Sequence, residues 1–321
     1  MKLGVMTVLL KQRPVEEAFR YLSSLKVQTV EIGTGGSPGT EHLDPKIFLA
    51  DPGAAAAYKE MLKRYNLEIS ALSTHSNHVH PQKEIADKAH SDFINACKVA
   101  EKLNVDTVVT FSGCPGDYSG AKYPNWVICS WPGDFQTILE YQWNEVLIPY
   151  WQSAVKEAAN YGVTRIALEM HPGFCVYNTS TLLKLRAAVG GAIGANFDPS
   201  HLFWQGIKPS EAIKALKGAV YHFHAKDTKL NMTNIHVNGV LDTSRYENIL
   251  DRSWVFRTVG YGHDYAEWRD IISTLAATGY DRSISIEHED RLMSVREGLE
   301  RAVSFLQQLI IQENPGEAWW A

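Results

Sequence analysis

The sequence contains few cysteines, no long apolar run and no basic cluster. Four cysteines in 321 residues, none in a Cys-x-x-Cys pair, are too scattered for a disulfide framework. No apolar stretch reaches the roughly 20 residues that a membrane helix requires, so we expect no membrane association. The N-terminal MKLGVMTVLL runs directly into polar KQRP without a small-residue cleavage site, which favours a cytoplasmic protein.

The charge balance argues against nucleic acid as a partner. The formal net charge is −5, and no Lys/Arg run provides a stripe that could neutralise phosphates. The glycine-rich segment GTGGSPG fails the dinucleotide fingerprint, because Pro38 stands where the third glycine is required. The sequence therefore predicts neither a nucleic-acid-binding nor a dinucleotide-binding protein.

Short β-type runs alternate with longer amphipathic segments along the whole chain. The eight strand-like runs are KLGVMTV, TVEIG, EISALS, DTVVTFSG, RIALEMH, AIGANFD, AVYHFHAK and SISIEHE. Such alternation predicts parallel strands joined by helices, and eight units predict a single (β/α)8 TIM-barrel domain, class α/β, over residues 1–321. A doubly wound open sheet with an extra domain is the alternative, but no Pro/Gly/Ser-rich linker divides the chain.

Two insertions follow predicted strands and should lie on the catalytic face of the barrel. The first, from about Ser112 to Asp134, is rich in aromatic residues that could stack on a sugar or simply cover the barrel. The second, from about Thr228 to His263, is polar and contains Arg257. The chain ends in AWWA, and this aromatic pair predicts a docking tail for a homo-oligomer or a partner subunit.

Four predicted strands end in metal-ligand residue types: Glu169, Asp198, His224 and Glu287. Alternate strand residues face opposite sides, and the apolar set of each strand must face the helices, which leaves these four in the lumen. Three carboxylates and one imidazole would repel one another unless a cation lay among them, although each could separately cap a helix or pair with a lysine. We expect one divalent ion, Mn²⁺ before Mg²⁺, Co²⁺ or Zn²⁺, because the set is rich in oxygen.

The strand-end Glu, the Asp-x-x-His, the His-x-Lys-Asp and the last-strand Glu together resemble the xylose isomerase-like TIM barrels. This superfamily of sugar phosphate isomerases and epimerases includes inosose dehydratases and ketose 3-epimerases, and the resemblance covers nearly the whole chain. It implies that Glu169, Asp198, His224 and Glu287 bind the metal and that His201 contacts substrate. It also implies that Glu169 and Glu287 act as bases on the two faces of the sugar.

A divalent ion can hold the carbonyl and adjacent hydroxyl of a sugar and stabilise an enediolate. We therefore expect a metal-dependent isomerase or epimerase of a ketose or keto-sugar. His171 opens an alternative, because it follows Glu169 on the same face and could protonate a leaving group. The enzyme would then be a lyase or dehydratase acting on a keto-sugar, an inosose or a 3-keto-glycoside of the C-glycoside-cleaving type. Alternatively, His171 only caps the end of its strand before Pro172. A third possibility for the whole protein is a barrel that binds sugar without catalysing a reaction.

Other polar residues near the predicted mouth are candidates for substrate contact. His75 ends the third strand, Lys226 lies two residues beyond His224 on its face, and Arg257 lies in the second insertion. Glu31 has lumen parity and either pairs with a lumen lysine or contacts substrate. Asp227 is expected only to orient Lys226.

Overall fold

Eight parallel strands close into a barrel in the structure, a computed structural model that describes residues 1–313, 316–317 and 320. The eight barrel strands are β1 (Lys2–Met6), β2 (Thr29–Gly33), β3 (Glu68–Ser73), β4 (Thr107–Phe111), β5 (Arg165–Glu169), β6 (Ile193–Phe197), β7 (Val220–Ala225) and β10 (Ser283–Ile286), and a separate two-stranded sheet consists of β8 (Asp227–Leu230) and β9 (Trp254–Arg257). The order around the barrel is β1, β10, β7, β6, β5, β4, β3, β2. The predicted (β/α)8 barrel is confirmed, and the open-sheet alternative is wrong.

Helices lie where the amphipathic segments predict them. In α4 (Lys83–Leu103), Phe93, Cys97 and Ala100 recur at helical spacing and are fully buried, so one face of the helix packs on the core. The helix ends at Asn104, which adopts the left-handed conformation. None of the described helices is both long and apolar enough to cross a bilayer. The helices are α1 (Val15–Ser24), α2 (Pro45–Ala50), α3 (Ala54–Arg64), α4 (Lys83–Leu103), α5 (Asp134–Glu140), α6 (Ile148–Ala159), α7 (Thr179–Val189), α8 (Ser200–Phe203), α9 (Pro209–Ala215), α10 (Met232–Asn238), α11 (Tyr265–Ala277) and α12 (Val295–Gln307).

The main core lies between the barrel and its helices, and a smaller layer fills the lumen. Outward-facing strand residues such as Ile166 and Ile284 are fully buried in the main core. The lumen layer consists of Ala71, Val109 and Ala167. At the N-terminal end of the barrel Thr29 Oγ1 and Ser283 Oγ are hydrogen-bonded to each other (2.6 Å), and the lumen carboxylates and histidines lie towards the C-terminal ends of the strands.

The two insertions differ in structure. Residues 112–133 have no regular helix or strand, and Tyr118 and Trp131 are exposed. The second insertion contains two antiparallel strands, β8 and β9, with α10 between them in the chain. The sequence indicates only that this insertion is polar and does not predict these strands. Trp254 and Phe256 of β9 form a small apolar cluster with Trp204. Of the predicted aromatic tail, Trp319 lies outside the described residues.

Candidate metal centre

The ends of four strands bring Glu169, Asp198, His224 and Glu287 to one point in the lumen. Glu169 ends β5, Asp198 follows β6, His224 lies in β7 and Glu287 follows β10. Their ligand-type atoms all lie within 4.8 Å of one another. Asp198 and His224 are fully buried, and the Glu287 side chain is 15% exposed. The four side chains that the sequence places in the lumen therefore meet at its C-terminal end.

Three of these side chains turn one polar atom to the surrounding protein and the other to the centre of the cluster. Ser200 N donates to Asp198 Oδ1 (2.8 Å), and Lys226 Nζ donates to Glu287 Oε1 (3.2 Å). Asp198 Oδ2, His224 Nδ1 and Glu287 Oε2 are buried and make no well-aligned hydrogen bond, and His224 Nδ1 lies only 2.9 Å from Glu287 Oε2. Each such atom costs about 1–3 kcal/mol if it stays unsatisfied. A cation at their common centre would satisfy all three, so the residues fit a divalent ion.

His224 is oriented by a carboxylate on the far side of the barrel. His224 Nε2 lies 2.8 Å from Glu31 Oε2, which also accepts a hydrogen bond from Ser285 Oγ (3.0 Å). With an ion bound at Nδ1, the remaining ring proton of His224 would be on Nε2, where Glu31 accepts it. Burial alone would raise the pKa of Glu31, but His224 and His222 lower that pKa to about 2. Glu31 thus pairs with a histidine and not with the lumen lysine that was one of its two predicted partners, and its contact with substrate stays a prediction.

Histidines and an asparagine surround Glu169. Its Oε2 accepts from Asn196 Nδ2 (3.0 Å) and lies 3.2 Å from His75 Nε2. His201 Nε2 lies 3.2 Å from Glu169 Oε1 and 3.2 Å from Asp198 Oδ2. The structure therefore brings His75 and His201, both predicted to contact substrate, against the cluster itself. Asn196 was missed, although the parity test that finds Asp198 also places Asn196 in the lumen.

His171 lies at the rim of the cluster, with its ring centroid 4.0 Å from that of His201. Its Nδ1 lies 2.6 Å from the carbonyl oxygen of Pro172, and a carbonyl can only accept. The proton is therefore on Nδ1, and Nε2 is an acceptor. Burial, with His201 beside it, lowers the pKa of His171 to about 3. His171 is thus neutral near pH 7, and it could protonate a leaving group only after it has received a proton.

Two adjoining cavities open above the cluster. One of 200 Å³ lies against Glu169, Glu287, Lys226 and His75. The other, of 510 Å³, extends away from the cluster below the second insertion. His171 and Glu289 line both cavities. Both predicted bases therefore face the smaller cavity, and His171 lies where the two cavities meet.

Arg257 does not join the cluster and does not line either of these two cavities. Its Nε donates to Asp290 Oδ2 (2.9 Å), which also accepts from Thr258 N (2.8 Å). Lys226, by contrast, is 3% exposed and contacts Glu287 and Glu289. Of the two cationic residues predicted to contact substrate, the structure brings only Lys226 to the site.

Comparison with known proteins supports the resemblance seen in the sequence. Residues 19–309 match the family model described as xylose isomerase-like TIM barrel. An uncharacterized protein of Bacillus subtilis (strain 168), YfiH, is 36% identical over 315 residues, which are 97% of this chain and 100% of that protein. The family predicted from the sequence motifs is therefore confirmed.

Solved structures of similar fold carry different names. The IolI protein with a bound zinc atom aligns with a TM-score of 0.67 at 16% identity, over 97% of this chain and 98% of that one. The probable 3-DHS dehydratase AsbF of Bacillus anthracis aligns with a TM-score of 0.65 at 14% identity, over 96% and 99%. A D-psicose 3-epimerase of Clostridium cellulolyticum H10 aligns with a TM-score of 0.60 at 14% identity, over 96% and 98%. At these identities the likeness shows the fold alone.

Proposed function

The chain belongs to the xylose isomerase-like TIM-barrel family, and on that premise we propose that it is a divalent-metal-dependent isomerase or epimerase of a ketose or keto-sugar. The observation that carries this proposal is the placement of Glu169 and Glu287. They reach the same 200 Å³ cavity from β5 and from the end of β10, which β6 and β7 separate in the barrel. Two carboxylates on different sides of one small cavity suit proton removal from one face of a sugar and proton return to the other.

Glu169, Asp198, His224 and Glu287 would hold the ion, and the oxygen-rich set favours Mn²⁺. When bound, the ion would supply positive charge for the negative charge that develops on the sugar oxygens as the α-proton leaves. The names of similar structures add support, since one contains zinc and one is an epimerase. His75 and Lys226, which line the same cavity, would donate hydrogen bonds to sugar hydroxyls.

The surroundings of the two glutamates differ, and the difference supports an order in which they would act. Asn196 and His75 hold Glu169 from the lumen side, which fixes its position. Glu287 is the more exposed of the two, at 15% of its side chain against 4% for Glu169. This exposure to the cavity supports Glu287 as the group that takes the first proton, with Glu169 returning a proton.

Solvent deuterium incorporation tests this proposal directly. The Mn²⁺-loaded protein should exchange the α-proton of at least one ketohexose among D-fructose, D-psicose and D-tagatose. Glu287→Gln should lower the exchange rate by at least about 100-fold, because an amide cannot take the proton. Glu16→Gln is the control, since Glu16 is an exposed carboxylate paired with Arg64 and lines neither cavity. Exchange by Glu287→Gln at the wild-type rate would remove Glu287 from the role of base.

The position of His171 favours a second candidate, a lyase. A group attached to the sugar in the smaller cavity would pass His171 on its way into the larger cavity. In a 3-keto-glycoside, a glutamate would take the proton from C2, the bond from C1 to the aglycone oxygen would break, and that oxygen would take a proton. His171 Nε2 could relay this proton after accepting it.

His171→Ala separates the two reactions. With the 3-keto-glucoside of phenol, whose oxygen is basic enough to need a proton as it leaves, a relay role predicts that phenol release falls by about 10²–10⁴-fold while α-proton exchange continues. Metal content is measured in the same sample. No release by the wild type would return the assignment to an isomerase or epimerase, undiminished release by His171→Ala would remove the relay role, and equal loss of both activities at full metal content would show that His171 only positions its neighbours.

A further inference from the structure

Three polar side chains form a row across neighbouring strands in the lumen, and the row ends at the cluster. Strand pairing sets Glu169 of β5 opposite Asn196 of β6, and Asn196 opposite His222 of β7. Asn196 is fully buried and His222 is 1% exposed. Neither of them lines the 200 Å³ cavity or the 510 Å³ cavity. Asn196 and His222 can therefore affect a bound sugar only through the residues that they contact.

The orientation of the Asn196 amide follows from its contact with Glu169. Asn196 Nδ2 donates to Glu169 Oε2 (3.0 Å). A metal-binding carboxylate carries no proton and can only accept, so the nitrogen end of the amide must face Glu169. The carbonyl oxygen of the amide then faces the other way, towards His222.

His222 completes this arrangement, because its Nδ1 lies 3.0 Å from Asn196 Oδ1. An amide oxygen can only accept, so Nδ1 must carry a ring proton. Glu31 Oε2, another acceptor, lies 3.8 Å from the same nitrogen. On the other side of the ring, Nε2 lies 3.2 Å from Ser70 Oγ, a hydroxyl that can donate or accept. The contacts of His222 therefore require a proton on Nδ1 and tolerate either state of Nε2.

This ring proton selects one of the two orientations that the Asn196 amide could adopt. If the amide turned over, its carbonyl oxygen would face the Glu169 carboxylate, and two acceptors at hydrogen-bond distance repel each other. Glu169 would lose a hydrogen bond and would have to move away from the amide. Such a shift would alter Glu169 both as a ligand and as a base.

We propose that His222 is a positioning residue, which acts through the Asn196 amide to hold Glu169 in the geometry that metal binding and proton return require. The proposal rests on the proposed function in taking Glu169 as a metal ligand and a base. His222 contributes the proton on Nδ1, and not the bulk of its ring. His222→Asn can supply an N–H in the same place, because Asn Nδ2 and His Nδ1 are both bonded to Cγ. His222→Gln places its N–H one bond further out, towards the place of Nε2.

Nitrogen NMR of the Mg²⁺-loaded full chain, isotope-labelled in its histidine rings, tests the tautomer without any measurement of activity. The His222 signals are assigned by their loss in His222→Asn. We expect a proton on Nδ1, whether or not Nε2 also carries one. A ring protonated at Nε2 alone would overturn the proposal.

The comparison of His222→Asn with His222→Gln tests the positioning role. Competition with a chelating dye should give His222→Asn a Mn²⁺ affinity within about 2-fold of the wild type, whereas His222→Gln should bind about 10-fold more weakly. If His222 only filled space, the order would be reversed, because glutamine is closer than asparagine to histidine in size. His78→Asn is the matched control and should keep its affinity, because His78 is also buried but contacts Thr110 outside the cluster. Equal affinities in the two variants of His222, or a weaker affinity in His222→Asn, would overturn the proposal.

Exchange of the α-proton in deuterium oxide separates this proposal from the proposed function. At saturating Mn²⁺ and ketohexose, the exchange rate should fall by about 10-fold in His222→Gln and stay within about 2-fold of the wild type in His222→Asn. Exchange by the wild type with the reverse order of the two variants would refute the role of His222 alone. No exchange by the wild type, together with the expected order of Mn²⁺ affinities, would refute the isomerase reaction alone.

Discussion

At the scale of single residues, each side chain of the cluster uses one polar atom for a hydrogen bond to a neighbouring residue and turns the other towards the cluster. Asp198 and Glu287 each have one oxygen that accepts a hydrogen bond and one that does not. His224 follows the same rule, with Nε2 on Glu31 and Nδ1 towards the cluster. Because the free atoms all lie on the same side, the second contacts of these residues decide where an ion can bind.

Glu31 should therefore control metal affinity without touching the ion. We expect Glu31→Gln to weaken Mn²⁺ binding by about 10–100-fold, because the neutral amide holds the His224 tautomer less firmly and makes Nδ1 less basic. Competition with a chelating dye measures the change. Glu16→Gln, which alters an exposed carboxylate paired with Arg64, should leave the affinity unchanged. An unaltered affinity in Glu31→Gln would show that His224 is oriented by other contacts.

The alternation of side chains along each strand was enough to predict which of them enter the lumen, but not which of them contact one another there. Glu169 and Glu287 could be placed because their strands alternate strictly, and a side chain on such a strand has only two directions. The contact between Glu31 and His224 spans β2 and β7, with β1 and β10 between them in the barrel. Such a contact depends on strand order and on the tilt of the barrel, which one sequence does not reveal.

At the scale of elements, the eight barrel strands could be predicted and the sheet of β8 and β9 could not. Each barrel strand is a run rich in β-branched residues or in strict alternation, whereas β9 contributes only Trp254–Arg257 within a polar segment. What fixes this sheet is a residue at its base. Asp227 Oδ2 accepts from Gly260 N, Gly262 N and His263 N at 3.0–3.1 Å, and from Trp268 Nε1 at 3.1 Å. Asp227 therefore anchors the return of the insertion, which is more than the predicted role of orienting Lys226.

Removing this anchor should loosen the insertion more than the barrel. We expect Asp227→Ala to lower the free energy of unfolding by about 3 kcal/mol, since several buried donors lose their acceptor. Hydrogen–deuterium exchange should quicken in residues 228–263 and stay slow in the barrel strands. Asp251→Ala, an exposed position in the same insertion, is the control and should change neither measurement. Uniformly faster exchange along the chain would mean that Asp227 supports the whole barrel.

At the scale of the whole molecule, the two ends of the barrel are held by different chemistry. The N-terminal end has a charge cluster in which Asp106 accepts from Arg165 at the start of β5 and from Arg282 just before β10. Burial alone would raise the pKa of Asp106, but the contacts with Arg282, Thr107 and Arg165 outweigh burial, so the pKa of Asp106 lies below its ordinary value. The C-terminal end instead gathers Glu169, Asp198 and Glu287, with Lys226 Nζ 3.2 Å from Glu287 and 3.8 Å from Asp198. Arginines therefore balance the carboxylate at the N-terminal end, whereas at the C-terminal end the carboxylates face one another around a common centre.

The cluster at Asp106 should stabilise the protein at neutral pH and lose its effect in acid. A folded-state pKa below the unfolded value contributes stability that is present above the unfolded pKa of about 3.9 and is lost as the pH falls through the folded pKa. Because Asp106 is partly exposed, Asp106→Asn should cost no more than about 1 kcal/mol at pH 7. Urea unfolding of both proteins at pH 7 and near pH 3 measures this difference. A penalty that persists undiminished in acid would mean that hydrogen-bond geometry, and not charge, matters at this position.

Metal binding should stabilise the closed barrel as a unit, because its four ligands come from β5, β6, β7 and β10 and meet only when those strands are assembled. At free Mn²⁺ about 100-fold above the dissociation constant, linkage adds about 2.7 kcal/mol to the free energy of unfolding. For a chain of this length that corresponds to a rise in Tm of about 4 °C over chelator-treated protein. Asp198→Ala should abolish the rise, because the variant removes one of the four proposed ligands, whereas Glu16→Gln, at an exposed carboxylate far from the cluster in the sequence, should keep it. A rise of equal size in Asp198→Ala would place the ion elsewhere in the molecule.

Repeating the scan with Mg²⁺, Co²⁺ and Zn²⁺ at equal free concentration ranks the ions. A larger rise in Tm is expected for Mn²⁺ than for Mg²⁺, because a nitrogen ligand favours the transition metal.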